Sequence, residues 1–156
     1  DANWTKKGGK AVYGYKIHAA TDTENGFVLG GEATSANVSD TTMLESVILG
    51  IKLPKGAEVL ADKGYASKAN RDLLNNNGFA DGIMYKAQRN TPLTEDEKQA
   101  NKKISKKRWL VERCFGSLKT IHGLCRARYL GKKKVELEFY LASLAYNLKK
   151  AVNLAF

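Results

Sequence analysis

Cysteine is scarce: this 156-residue sequence has only Cys114 and Cys125. Two are too few for a disulfide framework or a zinc site. They lie eleven residues apart along a stretch that reads as helical, beyond disulfide reach. Both are expected reduced, in a cytoplasmic protein. No apolar run reaches membrane-spanning length, so a soluble protein is expected. The opening residues, Asp1 to Lys7, have no initiator Met and no apolar h-region. They read as mid-chain loop, which leads to the expectation of a fragment of something longer. Ser67 and Ser117 have no visible partner base, so a hydrolase triad is not supported. Gly8-Gly9 and Gly30-Gly31 do not form a phosphate-cradling motif. There is no internal repeat, low-complexity tract or linker, and the length and 43% apolar content fit one globular domain.

Acid is scarce where base is dense. Residues 81–156 hold seventeen Lys/Arg against seven Asp/Glu, whereas residues 1–80 hold nine of each, so the whole net charge of +10 lies in the second half. That asymmetry points to an anionic polymer, nucleic acid before a membrane surface. From Asn101 to Lys134 there are twelve cations (Lys102, Lys103, Lys106, Lys107, Arg108, Arg113, Lys119, Arg126, Arg128, Lys132, Lys133 and Lys134) and a single acid, Glu112. A surface that only gripped phosphates would gain nothing from a carboxylate at its centre. Glu112 is therefore either an ion-pair partner or a ligand for a divalent cation where the nucleic acid backbone passes.

Along the chain, Tyr13, Tyr15, Ile17 and Ala19 alternate within a strand over 11–21, and Asp22 to Gly26 is a hairpin turn ending in Asn-Gly. A second strand covers 27–34, where Gly30-Gly31 marks a bulge or a close backbone approach. Ser39 or Asp40 is expected to cap a helix over 41–49, stopped by Gly50. Val59-Leu60-Ala61 reads as a strand covered on both faces, with Asp62 at its end, where open α/β sheets build sites. Ser67 is expected to cap a helix over 68–76, followed by a strand over 82–85. Thr94 to Glu97 resembles a capping box opening a helix that runs, with or without a break, through Arg108 to Ile121, with Val111, Cys114, Phe115, Leu118 and Ile121 on its core face. A last helix over 134–152 carries an apolar stripe of Val135, Phe139, Leu141, Leu144, Leu148 and Val152. The order predicts an α/β fold, a mixed sheet flanked by helices.

Phosphodiester chemistry needs charge neutralisation, an activated nucleophile and a stabilised leaving oxygen, which two divalent ions held by a few carboxylates supply. Asp62 at a strand end and Glu112 on a basic helix are the natural pair. Helical spacing puts Arg108, Glu112 and Lys119 on one face. An ordinary Arg108–Glu112 ion pair, contributing about 0.3–0.5 kcal/mol, is the competing account. His18 and Asp22 read as structural, and His122 as a contact to carbonyls or phosphate. Trp4 and Trp109 are candidates for base stacking, although burial is the commoner fate of tryptophan.

The sequence resembles bacterial insertion-sequence transposases of the DDE type, in the group named after insertion sequence five. The resemblance rests on Trp4-Thr5-Lys6-Lys7-Gly8-Gly9-Lys10 with Tyr13 to His18, Thr34 to Asp40, Ala61-Asp62-Lys63-Gly64-Tyr65, Arg108 to Lys119, and Ala127-Arg128-Tyr129. It covers essentially the whole chain. It implies a ribonuclease H-like fold in which two Asp and one Glu hold two magnesium (or manganese) ions. The second Asp maps onto Asp62 and the Glu onto Glu112, which makes them catalytic and metal-binding. The signature Tyr-x2-Arg-x3-Glu-x6-Lys is met by Arg108, Glu112 and Lys119, with Ser105 in place of Tyr. The first Asp belongs to a strand upstream of Trp4, so the expected chain lacks that strand and its carboxylate. The implied function is DNA transposition in a homo-oligomeric complex with element ends and target DNA. The remaining Lys and Arg of 102–134 would grip DNA without regard to sequence. A non-catalytic DNA-binding remnant and a metal-dependent nuclease without strand transfer remain as alternatives.

Overall fold

The computed structural model describes residues 1–155, and the chain divides into two compact units, residues 1–39 with 110–156 and residues 40–109. The α/β class holds. The strands, however, form two sheets, one antiparallel and one parallel, instead of one mixed sheet.

The first unit is built on an antiparallel meander of β1 (Asn3–Lys7), β2 (Lys10–Thr21) and β3 (Val28–Ser35). The opening segment, read from sequence as loop, is thus a strand. Gly8 and Gly9 have φ of 56° and 79°, the backbone that a tight two-residue hairpin requires and that glycine adopts without a Cβ clash. The second turn follows the Asp-to-Gly expectation. Asp22 carboxylate oxygens accept from the amides of Glu24 and Asn25, both at 2.8 Å, and Gly26 takes φ 73°. Burial pushes the Asp22 carboxyl up, but the amides of Glu24, Asn25, Phe27 and Gly26 outweigh it and hold the group below its ordinary value. The register slips between Ala20, opposite Gly30, and Thr21, opposite Val28, so a bulge falls at Leu29, next to the Gly30-Gly31 pair.

Helix α4 (Trp109–Thr120) and helix α5 (Lys132–Ala155) complete this unit, α4 from Leu110 onward. Val28, Cys114, Leu118 and Phe139 form the core, with Ile17, Ala19, Leu124, Ala142 and Tyr146 packed on it. Gly31 is the close approach that the sequence hinted at: a Cβ there would lie 2.8 Å from the Phe139 ring. Asn147 clamps Val28 through both its amide nitrogen and its carbonyl, each at 2.9 Å. His18 is buried and within 3.1 Å of Thr34 Oγ1, a structural role as expected.

Two sequence expectations fail here. In α5 only Val135 and Phe139 of the expected stripe are buried; Leu141, Leu144, Leu148 and Val152 are 57–60% exposed. The helix is apolar on two sides, and packing selected the face of Val135, Phe139, Ala142 and Ser143. In α4 Cys114 and Leu118 are buried, whereas Ile121 lies past the helix end and is 63% exposed. Both cysteines are free. Burial pushes the Cys114 thiol up, against the bond from Tyr146 and the charge of Lys150.

The second unit carries a short parallel pair, β4 (Glu58–Ala61) and β5 (Ala80–Ile83), crossed over by α2 (Lys68–Asn76). Its core is Leu44, Ile48, Ala61, Leu74 and Ile83. Ser67 caps α2 by accepting from the Asn70 amide, as expected. Neither Ser39 nor Asp40 caps a long helix over 41–49. Instead a 3-10 turn spans Asp40–Thr42, and α1 (Leu44–Leu49) starts from Met43 without a side-chain cap. Helix α3 (Glu95–Lys107) opens on the expected capping box of Thr94 and Glu97. It ends at Arg108 and α4 starts at Trp109, so the helix expected from Thr94 to Ile121, with or without a break, is broken at Arg108.

Candidate metal and nucleic-acid site

Asp62 ends β4 and caps the following 3-10 turn, Lys63–Tyr65. Its Oδ1 accepts from the Gly64 amide at 2.6 Å. Gly64 is the reason the turn fits, since a Cβ there would fall 2.8 Å from Asp62 Oδ1 and 3.2 Å from Asp40 Oδ2. Two carboxylates thus flank one glycine. Asn70, buried on α2, ties the two loops together by donating from Nδ2 to Thr41 O at 2.9 Å and to Tyr65 O at 2.7 Å. Thr41 Oγ1 adds a bond to Gly64 O at 3.0 Å. The Tyr65 hydroxyl is pushed up to about 12, first by burial and then by the charges of Asp40 and Asp62, against Arg108. Asp40 is the residue that the sequence reading missed as a site neighbour. Its only local signal was a helix-starting one, and its nearness to Asp62 comes from two loops far apart in sequence.

Glu112 lies in the first turn of α4 and is exposed, as are Gly116 and Lys119. These three follow at helical spacing on the face opposite Cys114 and Leu118. A Cβ on Gly116 would touch nothing, so the space between the carboxylate and the ammonium is open. Glu112 makes no hydrogen bond or ion pair among the described residues. Lys119 Nζ sits 5.9 Å from the Phe115 ring centroid. Arg108, at the end of α3, places Nη1 3.7 Å from Met84 Sδ.

The basic residues divide into engaged and free. Lys107 Nζ pairs with Glu58 at 2.5 Å, Arg128 Nε lies 3.7 Å from Glu138, and Lys132 Nζ lies 3.4 Å from Glu32. The acids come from outside the basic tract, so the sequence could not show which cations they neutralise. Lys102, Lys103 and Lys106 on α3 are exposed without an ion-pair partner among the described residues. In the first unit so are Arg126, Lys133 and Lys134, while Arg113 is exposed on α4. Trp4 and Trp109 are exposed at 62% and 52%, against the expectation of burial; Trp4 packs on Tyr13 with ring centroids 5.2 Å apart.

Residues 1–148 match the family described as "Transposase DDE domain". The chain belongs to this family. It is 43% identical over 153 residues to the transposase for insertion sequence element IS1106 of Neisseria meningitidis serogroup B, across 98% of this chain and 52% of that protein. It spans about half the length of that relative. No solved structure matches it. No helix of this DDE domain is long and apolar enough to cross a membrane, among the described residues.

Asp40 and Asp62 in the second unit, and Glu112 in the first, each offer only oxygen, the donor that magnesium prefers. Asp62 keeps Oδ2 unbonded among the described residues, and Glu112 keeps both oxygens. No group of three or more His, Cys, Asp or Glu placed to hold a metal occurs among the described residues.

Proposed function

We propose that this chain is part of the catalytic domain of a DNA transposase of the DDE type, with a ribonuclease H-like fold. Asp62 and Glu112 hold magnesium or manganese, and the domain hydrolyses a phosphodiester at the element's end and joins the freed 3′-hydroxyl to target DNA. The observation that carries this reading is Glu112, an exposed carboxylate within a basic tract that pairs with none of the described residues. A carboxylate left unneutralised among cations is suited to a metal ligand.

A bound divalent ion would activate water and offset charge developing at phosphorus. The chain's own groups do the positioning. Arg108 and Lys119 place phosphate oxygens beside the carboxylates. Lys102, Lys103, Lys106, Arg113, Arg126, Lys133 and Lys134 supply salt-sensitive grip along the backbone, with Lys107, Arg128 and Lys132 weakened by their acid partners. The partners are element ends and target DNA, bound by a homo-oligomer in the bacterial cytoplasm at the nucleoid.

The test is Glu112→Gln in a full-length protein bearing this sequence. Strand cleavage is lost and DNA binding is retained; cleavage that persists removes Glu112 from the metal site. A second reading is a remnant that binds DNA without cutting it. A magnesium-dependent nicking assay on the purified chain separates the two, since binding without nicking supports the remnant.

A further inference from the structure

The loop between α4 and α5 leans on the start of α5 and leaves a cleft of about 350 Å³, lined by His122, Arg128, Tyr129, Lys134, Glu138 and the aliphatic wall of Leu137, Leu141 and Ala142. That volume lies near the lower end of the range for small-ligand sites. It suits one nucleotide and is far too narrow for a duplex groove surface. Three kinds of group line it. Arg128 and Lys134 are cations at the rim, both exposed. Tyr129 is 51% exposed, an aromatic face available for stacking. Glu138 is 13% exposed, with only a long 3.7 Å approach from Arg128 Nε. Gly123, with φ 74° and no Cβ, leaves room for the Arg128 guanidinium that lies against it.

We propose that this cleft takes a single unstacked guanine nucleotide from bound DNA. The inference rests on the DNA-binding reading above and names a site within it. A free phosphate would be repelled by Glu138, so the acid argues for a ligand that joins a phosphate to a hydrogen-bond donor. A nucleotide does so. Its base stacks on Tyr129 against the aliphatic wall. Its phosphate meets Arg128 and Lys134. Its Watson–Crick edge meets Glu138, which is acceptor-only when ionised. Guanine alone presents two adjacent donors on that edge, N1–H and the N2 amino group, matching the two carboxylate oxygens.

The test is fluorescence anisotropy on the full 156-residue chain at fixed salt, comparing a perfect duplex with one carrying a single extrahelical guanine or adenine. The extrahelical guanine duplex binds about tenfold tighter than the perfect duplex, from one stacked base. It also binds tighter than its adenine counterpart. Tyr129→Ala removes the preference and leaves perfect-duplex affinity unchanged; Tyr129→Phe keeps it. Glu138→Gln levels guanine and adenine, with circular dichroism confirming the fold of each variant. The proposal is overturned if the extrahelical base adds nothing, if guanine and adenine bind alike in the parent, or if the preference survives Tyr129→Ala. Loss of the preference with duplex binding intact sinks this site alone. Absence of any duplex binding sinks the DNA-binding reading and this site with it.

Discussion

Gly31→Ala tests the packing that holds α5 on the meander and so shapes one wall of the cleft. The added Cβ would lie 2.6 Å from the His18 carbonyl oxygen and 2.8 Å from Cε1 and Cζ of Phe139. Carbon atoms pack best at about 3.5–4.0 Å, so the overlap approaches 1 Å on both sides. Neither neighbour can step aside. His18 is backbone within the β2–β3 ladder, and Phe139 is fully buried. Overpacking of this kind costs about 1–3 kcal/mol, offset by about 0.4–1 kcal/mol from the stiffer unfolded chain. The net loss of about 1–2 kcal/mol lowers Tm by about 2–8 °C for a protein of this size. Thermal melts followed by near-ultraviolet circular dichroism measure it. Phe139→Leu in the same chain removes ring atoms from the clash, so the double variant is less destabilised than the sum of the two single ones. A Gly31→Ala melt within a degree of the parent would refute the close approach, as would additivity of the pair within about 0.3–0.5 kcal/mol.

Two titration predictions follow from the same geometry. The Asp22 carboxyl is held below its unfolded value by loop amides, so its contribution is present above about pH 4 and is lost as pH falls through the folded value. Asp22→Ala therefore flattens the acid limb of the stability curve; an unchanged limb would show that the turn does not depend on the ionised group. The Tyr65 hydroxyl titrates at about 12 in metal-free buffer, and Asp62→Asn, by removing one of the charges that raise it, moves the transition down. An alkaline absorbance titration reads it, and a transition that stays in place would mean Asp62 does not face the phenol.

Much of the local structure was legible because it rests on short-range chemistry. Alternation plus an Asp-to-Gly turn specifies the β2–β3 hairpin, Ser67 and Thr94 each bond an amide three residues on, and Asp62 stands at the end of an apolar run. The order of Asp62, Arg108, Glu112 and Lys119 likewise pointed to the transposase family from sequence alone. Other features depend on contacts between distant segments. Nothing in Lys107-Arg108-Trp109 signals a helix stop, since all three tolerate helix, yet α3 ends there. Helix α5 carries apolar residues on both sides, so periodicity could not choose its buried face; the shape of Gly31 against Phe139 did. Asp40 beside Asp62, and Glu138 beside Arg128 in the cleft, are pairings across loop and helix that only tertiary folding brings within reach. The residue types and their order were therefore set by the sequence. Which of them meet was decided by packing, because side chains distant along the chain become neighbours only when the core closes.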